Sequence, residues 1–235
     1  MSSTPGGASP WPVRVVGVTD AANPDFPGQL DGDHRLPPAE LELELWRSPQ
    51  GVTLGSSIAR RPELVAAVRR IEGIGSVSID RIGGTVGPGG THWLGLLAWA
   101  RLPDPCPRPL DRLTLALRAF LNSRLSPFGA SLELGRVDGA WCPGFSDLAI
   151  DGRKLAGLGM RLTRGWGLVR GVVAVSPPDP EELDRLDLCH RTFGPGLDPA
   201  RMISLAEIPG LAGIDRDAAL GLLGDPSRPP AKMGR

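Results

Sequence analysis

Asp151-Gly152 stands between two short apolar runs, Leu148-Ala149-Ile150 and Leu155-Ala156. Asp and Gly both tolerate left-handed backbone, so the pair closes a two-residue hairpin between antiparallel strands. A chain with such a turn in its middle does not build a purely parallel sheet. The flanking patterns add strands: a short apolar run at 13–18, strict alternation in Leu41-Glu42-Leu43-Glu44-Leu45-Trp46, a Gly-bounded segment at 51–55, and further strands at 76–79, 93–102, 131–134 and 168–175. Helical spacing appears in 61–71, where Leu64, Val65, Val68 and Ile71 recur on one face behind Pro62. It is clearest in 110–125, where Leu113, Leu117, Phe120 and Leu121 align between Pro109 and Pro127. The expected fold is therefore α/β, a mixed β-sheet flanked by helices.

Three parts are expected along the chain. Residues 1–12, rich in Ser, Gly and Pro, read as disordered, and 20–38 as a loop. Residues 13–178 hold the strands and helices of one domain. Beyond Pro177 the composition shifts, and 179–235 reads as a small helical appendage, with helices at 180–188 and 215–223, followed by a flexible tail. A formal net charge of zero argues against nucleic-acid partners or a membrane held by charge. No apolar run approaches the roughly 18 residues that a span requires. The start of the chain has no basic, apolar leader pattern, so a cytoplasmic protein is expected. Cys106, Cys142 and Cys189 are odd in number and widely spaced, which fits neither a disulfide framework nor a zinc pattern. With only His34, His92 and His190 scattered along the chain, no metal is expected.

Of the 26 basic residues, 24 are arginine, and the lysines are Lys154 and Lys232. A lysine kept in such a chain marks a position to which arginine is not expected to be suited; Lys232 lies in a Pro-rich tail, but Lys154 lies in the densest motif. Gly135 to Gly157 places Cys142 in a Cys-Pro-Gly turn on the approach to the hairpin, and Lys154 just past its tip. The return strand can bring the lysine back beside the cysteine. A thiolate is the nucleophile in acyl transfer, and a nearby cation favours it and can donate to the developing oxyanion. Spacing alone leaves the alternatives open, because a lone cysteine is more often a small buried hydrophobe and a lone lysine a solvated charge.

The run Cys142-Pro143-Gly144, then Asp147-Leu148-Ala149-Ile150, Gly152-Arg153-Lys154 and Ala156-Gly157, resembles the hallmark of the biotin/lipoate protein ligase and transferase superfamily. It is most similar to the octanoyl-[glycine cleavage H protein]:protein N-octanoyltransferase branch. The likeness extends over roughly 13–175, with Leu45-Trp46-Arg47 and Val52-Thr53-Leu54-Gly55 similar to the opening strands, and Arg81-Ile82-Gly83-Gly84 similar to the acyl-site loop. The resemblance implies transfer of an octanoyl or lipoyl group through a thioester on Cys142 to a lysine of a lipoyl carrier domain, with Lys154 touching the acyl carbonyl. It implies partners such as glycine cleavage H protein and the lipoyl domains of 2-oxoacid dehydrogenases, and no bound cofactor. Arg81, Gly83, Gly84, Gly144, Asp147 and Gly157 are the expected substrate-binding residues, with an apolar tunnel for the acyl chain beside Gly83 and Gly84. Two alternatives stand beside it: an ATP-dependent lipoate-protein ligase, and a non-catalytic paralogue that binds acylated carriers. The loop carries one arginine where the ligases have two, and Met160 stands where the related transferases have glutamine. His92 and the Cys189-His190 neighbours read as structural.

Overall fold

A computed structural model describes residues 11–19, 38–80, 82, 84–163 and 165–224. The expectations for Arg81, Gly83, His34, Lys232 and residues 1–10 fall outside these described residues.

The elements are β1 (Val13–Thr19), β2 (Leu41–Trp46), β3 (Gly51–Leu54), α1 (Ser56–Ala59), α2 (Pro62–Arg69), β4 (Ser76–Ile79), β5 (Val86–Gly89), β6 (Trp93–Arg101), α3 (Pro109–Leu125), β7 (Glu133–Leu134), β8 (Leu148–Ile150), β9 (Arg153–Thr163), β10 (Trp166–Ala174), α4 (Pro180–Arg191) and α5 (Arg216–Gly224). Seven strands form one sheet in the order β1-β2-β6-β10-β9-β8-β7, and β4-β3-β5 form a second, smaller sheet. Pairing is mixed: β1 with β2 and β3 with β4 are parallel, and the other pairs are antiparallel. The expected mixed sheet with helices is thus the observed architecture. Between β8 and β9, Asp151 (φ 49°) and Gly152 (φ 71°) make the tight turn that the Asp-Gly pair foreshadows.

Strands β6 and β10 of the large sheet are buried along most of both faces, and the two-residue period of the strands assigns those faces. Leu41, Leu43 and Leu45 of β2, with Leu94, Leu96, Ala98 and Ala100 of β6, share a core with Leu113, Leu117 and Leu121 of α3 and Ala219, Leu220 and Leu223 of α5. The alternate residues look the other way. Trp46, Leu97, Trp99, Trp166 and Leu168 form one cluster there, and Trp93 joins the small sheet in another. The segment from 179 to 224 packs into these same cores, with Leu186 and Cys189 in the small-sheet cluster and Ile203, Leu205, Ile208, Leu211 and Ile214 in the large one.

Local differences from the sequence reading have plain causes. The glycine-rich run 83–90 contains a strand, β5, because pairing with β3 supplies the hydrogen bonds that its sequence does not advertise. The expected strand at 131–134 shortens to β7, and the return strand of the hairpin lengthens to β9, which is paired on both sides. The four residues of α1 were not anticipated and are too short to carry a periodic signal. No helix among the described residues is long and apolar enough to cross a membrane.

One glycine shapes the functional face. Gly95 of β6 pairs with Trp46 of β2, and a Cβ there would lie 2.1 Å from Cε2 of the indole. The ring lies flat on bare backbone. We predict that Gly95→Ala costs about 1–3 kcal/mol in chemical denaturation, because a rigid indole in a packed wall cannot give way as a flexible side chain would.

Candidate active site

The loop from 139 to 147 brings Cys142 into a cleft between the two sheets. Its anchor is Trp141, 1% exposed, whose ring meets Trp93 edge-on at 5.0 Å between centroids, while the Trp93 indole donates to Glu182 Oε1 at 2.6 Å. Past the anchor the backbone turns sharply. Cys142 has φ 40°, a left-handed conformation that a non-glycine residue holds only when its surroundings impose it.

The imposing group is the Lys154–Asp147 pair. β9 enters from the hairpin with Lys154 opposite Ala149 of β8, and its ammonium turns back under the loop. Nζ donates to the carbonyls of Trp141 at 2.6 Å and Cys142 at 2.9 Å, and lies 2.7 Å from Asp147 Oδ1. It also sits 4.9 Å from the centroid of the Trp141 ring. An ammonium has three donors, and all three are engaged. The side chain is fully buried. Asp147 Oδ2 accepts the N–H groups of Gly144 at 3.0 Å and Val137 at 3.3 Å, so one carboxylate fastens both ends of the turn. Burial pushes the Lys154 pKa down and that of Asp147 up, and the attraction between the two opposes both shifts.

Across the cleft, the N–H of Thr85 points at Cys142 Sγ at 3.0 Å. Gly84 (φ 37°) lies so close that a Cβ on it would be 2.4 Å from the sulfur. The Gly84 carbonyl is held by the Ser57 hydroxyl at 2.7 Å, so α1 steadies this side. Gly157 leaves room for the lysine, since a Cβ there would meet Cε and Nζ at 2.9 Å. Of the expected residues, Cys142, Lys154, Gly84 and Gly157 therefore meet at the cleft, while Gly144 and Asp147 serve its supporting turn.

The cleft spans about 640 Å³ including its open mouth, and Val86, Leu158, Val172 and Trp46 give it apolar walls. Arg170, Asp80 and Thr85 line it, although the sequence reading gives them no role. Arg170 Nε lies 2.6 Å from Asp80 Oδ2, both side chains being 9% exposed, and the guanidinium stacks 5.2 Å from the Trp46 ring centroid. The available signal was a single arginine in the otherwise apolar strand Leu168-Val169-Arg170-Gly171-Val172. Thr85 gave no signal, since its contribution is a backbone N–H.

Cys189, His190 and His92 sit away from the sulfur as packed or hydrogen-bonded groups. Cys189 is buried, with its thiol pushed up to about 12 by desolvation. His190 is buried and pushed down to about 4, first by desolvation and then by the Lys154 charge. His92, Asp179 and Glu182 bring metal-type donor atoms within 4.8 Å of one another, but each is otherwise engaged: His92 Nδ1 with Ser176, Asp179 capping α4, and Glu182 with Trp93. Met160 Sδ accepts the Thr114 hydroxyl at 3.2 Å, on the α3 side of β9.

No family model matches the chain. Over 104 residues it is 32% identical to an octanoyl-[GcvH]:protein N-octanoyltransferase of Geobacillus kaustophilus, and over 110 residues 31% identical to the protein of that name from Bacillus velezensis. The matches cover 40% and 42% of this chain, and it spans only 37% and 38% of the length of these curated relatives. Among solved structures, a T. acidophilum lipoate protein ligase with bound lipoic acid superposes with a TM-score of 0.56 at 12% identity, over 91% of this chain and 83% of that one. Lipoate-protein ligase A bound with ATP superposes with a TM-score of 0.52 at 14% identity, over 78% and 70%. The chain shares the fold of these ligases.

Two predictions follow from the buried lysine and its neighbour. Lys154→Arg should lower stability by about 3 kcal/mol in chemical denaturation, because a planar fork cannot reproduce three convergent point contacts in a closed site. For His190, the unfolded chain takes up a proton near 6.5 and the folded chain only near 4. Stability therefore falls as pH drops through that window, by about 2 kcal/mol between pH 7 and pH 5. The same denaturation comparison on His190→Gln should lose this slope; an unchanged slope assigns it elsewhere.

Proposed function

We propose that this chain, which has the lipoate-protein ligase fold and a sequence akin to octanoyltransferases, moves an octanoyl or lipoyl group onto a lysine of a lipoyl carrier domain through a thioester on Cys142. The observation that carries the reading is the fixed sulfur: Cys142 Sγ is held in left-handed backbone at an apolar cleft, faced by a backbone N–H at 3.0 Å. That arrangement suits a nucleophile better than a packing thiol.

In the first step the Cys142 sulfur attacks the carbonyl of an acylated carrier lysine. The C–S bond forms, the amide C–N bond breaks, and the thiol proton leaves with the donor amine. In the second step the amine of an acceptor lysine attacks the thioester, the C–N bond forms, the C–S bond breaks, and a proton lost by the amine restores the thiol. Lys154 holds the nucleophile turn. By exchanging one of its three bonds it also reaches the acyl oxygen, the part that the resemblance implies. The acyl chain lies along the apolar walls beside Gly84, where burial contributes about 0.8 kcal/mol per methylene. Glycine cleavage H protein is the donor favoured by the relatives' names. A cytoplasmic setting belongs to the same reading, supported by three free cysteines.

The test is intact-mass analysis after mixing the protein with octanoyl-loaded H protein, with and without ATP. An octanoyl adduct is expected on the wild type without ATP, absent in Cys142→Ala and retained in Cys106→Ala and Cys189→Ala. An adduct on Cys142→Ala, or acceptor acylation only with ATP, overturns the thioester route; in the second case the ligase chemistry takes its place. No modification from any acyl donor leaves the binding paralogue.

A further inference from the structure

Beside the nucleophile cleft lies a second, wider one of about 910 Å³ including open solvent, lined by Arg60, Ile79, Asp80, Met160 and Arg161. The two clefts share Asp80, and β9 runs through both, with Gly157, Leu158 and Gly159 in the first and Met160 and Arg161 in the second. Asp80 is committed to Arg170 and to the Ile82 N–H. Arg60 and Arg161 are exposed, and among the described residues neither guanidinium has an ion-pair or hydrogen-bond partner. Arg69, Arg70 and Arg101 are also exposed without a carboxylate partner among the described residues, whereas other surface arginines are paired, as in Arg61 with Glu63, Arg136 with Asp138 and Arg191 with Asp187. The wide cleft is thus a positively charged surface without its counter-charge.

A second feature belongs to the nucleophile turn itself. Phe145 is 83% exposed, whereas the next most exposed large hydrophobic residue is Leu188 at 54%. It stands three residues from Cys142 on a turn tied down by Asp147 and Lys154. Arginine and aromatic side chains are the residues most enriched where proteins meet.

We propose that the acyl-bearing partner docks over the mouth of the Cys142 cleft, presenting acidic side chains to Arg60 and Arg161 and an apolar contact to Phe145. The partner is a small carrier domain with acidic residues around its acylated lysine, and the inference rests on the acyl-transfer reading above. A docked acidic surface supplies the missing counter-charge, and Phe145 gives it an apolar anchor next to the reacting sulfur.

The test compares the wild-type chain, Arg60→Glu/Arg161→Glu and Phe145→Ala with three octanoyl donors: octanoylated glycine cleavage H protein, octanoyl-N-acetylcysteamine and octanoyl-coenzyme A. With the protein donor, KM should rise about tenfold in each variant with kcat little changed. The wild-type KM should climb with ionic strength, and the charge-reversed variant should lose that dependence. Labelling of Cys142 by the small thioester should be equal in all three proteins. An unchanged KM for H protein in both variants overturns the docking surface. So does a loss confined to octanoyl-coenzyme A in the charge-reversed variant, which makes the arginines a phosphate site. Failure of the small thioester to label wild-type Cys142 instead sinks the acyl-transfer reading, and this inference with it.

Discussion

The site depends on one buried cation. Lys154 carries its charge into a place without solvent, where an uncompensated ammonium is costly, and the fold meets that cost with one carboxylate and two backbone carbonyls. Those carbonyls belong to Trp141 and Cys142. The need to satisfy the cation therefore fixes the backbone on either side of the nucleophile, and the left-handed Cys142 follows from it. Asp147 completes the device, since the oxygen that does not face the lysine gathers the N–H groups of Val137 and Gly144. Charge burial and loop geometry are one constraint here.

Around this clamp, the large sheet divides its work by face. One face is a plain leucine-rich core under α3 and α5. The other carries tryptophans, the Asp80–Arg170 pair and the cleft. Glycines make the second face workable by their lack of a side chain. Gly95 lets Trp46 lie on the strand, Gly84 lets the sulfur approach backbone, and Gly157 accepts the lysine stem. Each is a close approach that a single methyl group would block.

Much of the fold and part of the site were legible in the sequence because their causes are local. Asp151-Gly152 specifies its turn from two residues, the alternation of 41–46 specifies a half-exposed period, and the leucine stripe of α3 specifies its buried side. The Cys-Pro-Gly turn and the lysine beyond the hairpin tip marked the two central residues of the site. The chain's use of lysine at 154, among so many arginines, now has a physical reason in a closed site with three convergent acceptors.

The sequence by itself determined the hairpin, the mixed sheet and the identity of the candidate nucleophile, all of which follow from residues close along the chain. Only the tertiary structure decided that Lys154 is fully engaged, that the Thr85 N–H meets the sulfur from 57 residues away, and that Arg170 pairs with Asp80 inside the cleft. The physical reason is the same in each case. A local pattern fixes which face a side chain takes, whereas the partner of a buried polar group is whatever distant backbone or charge the packing of the two sheets brings within about 3 Å.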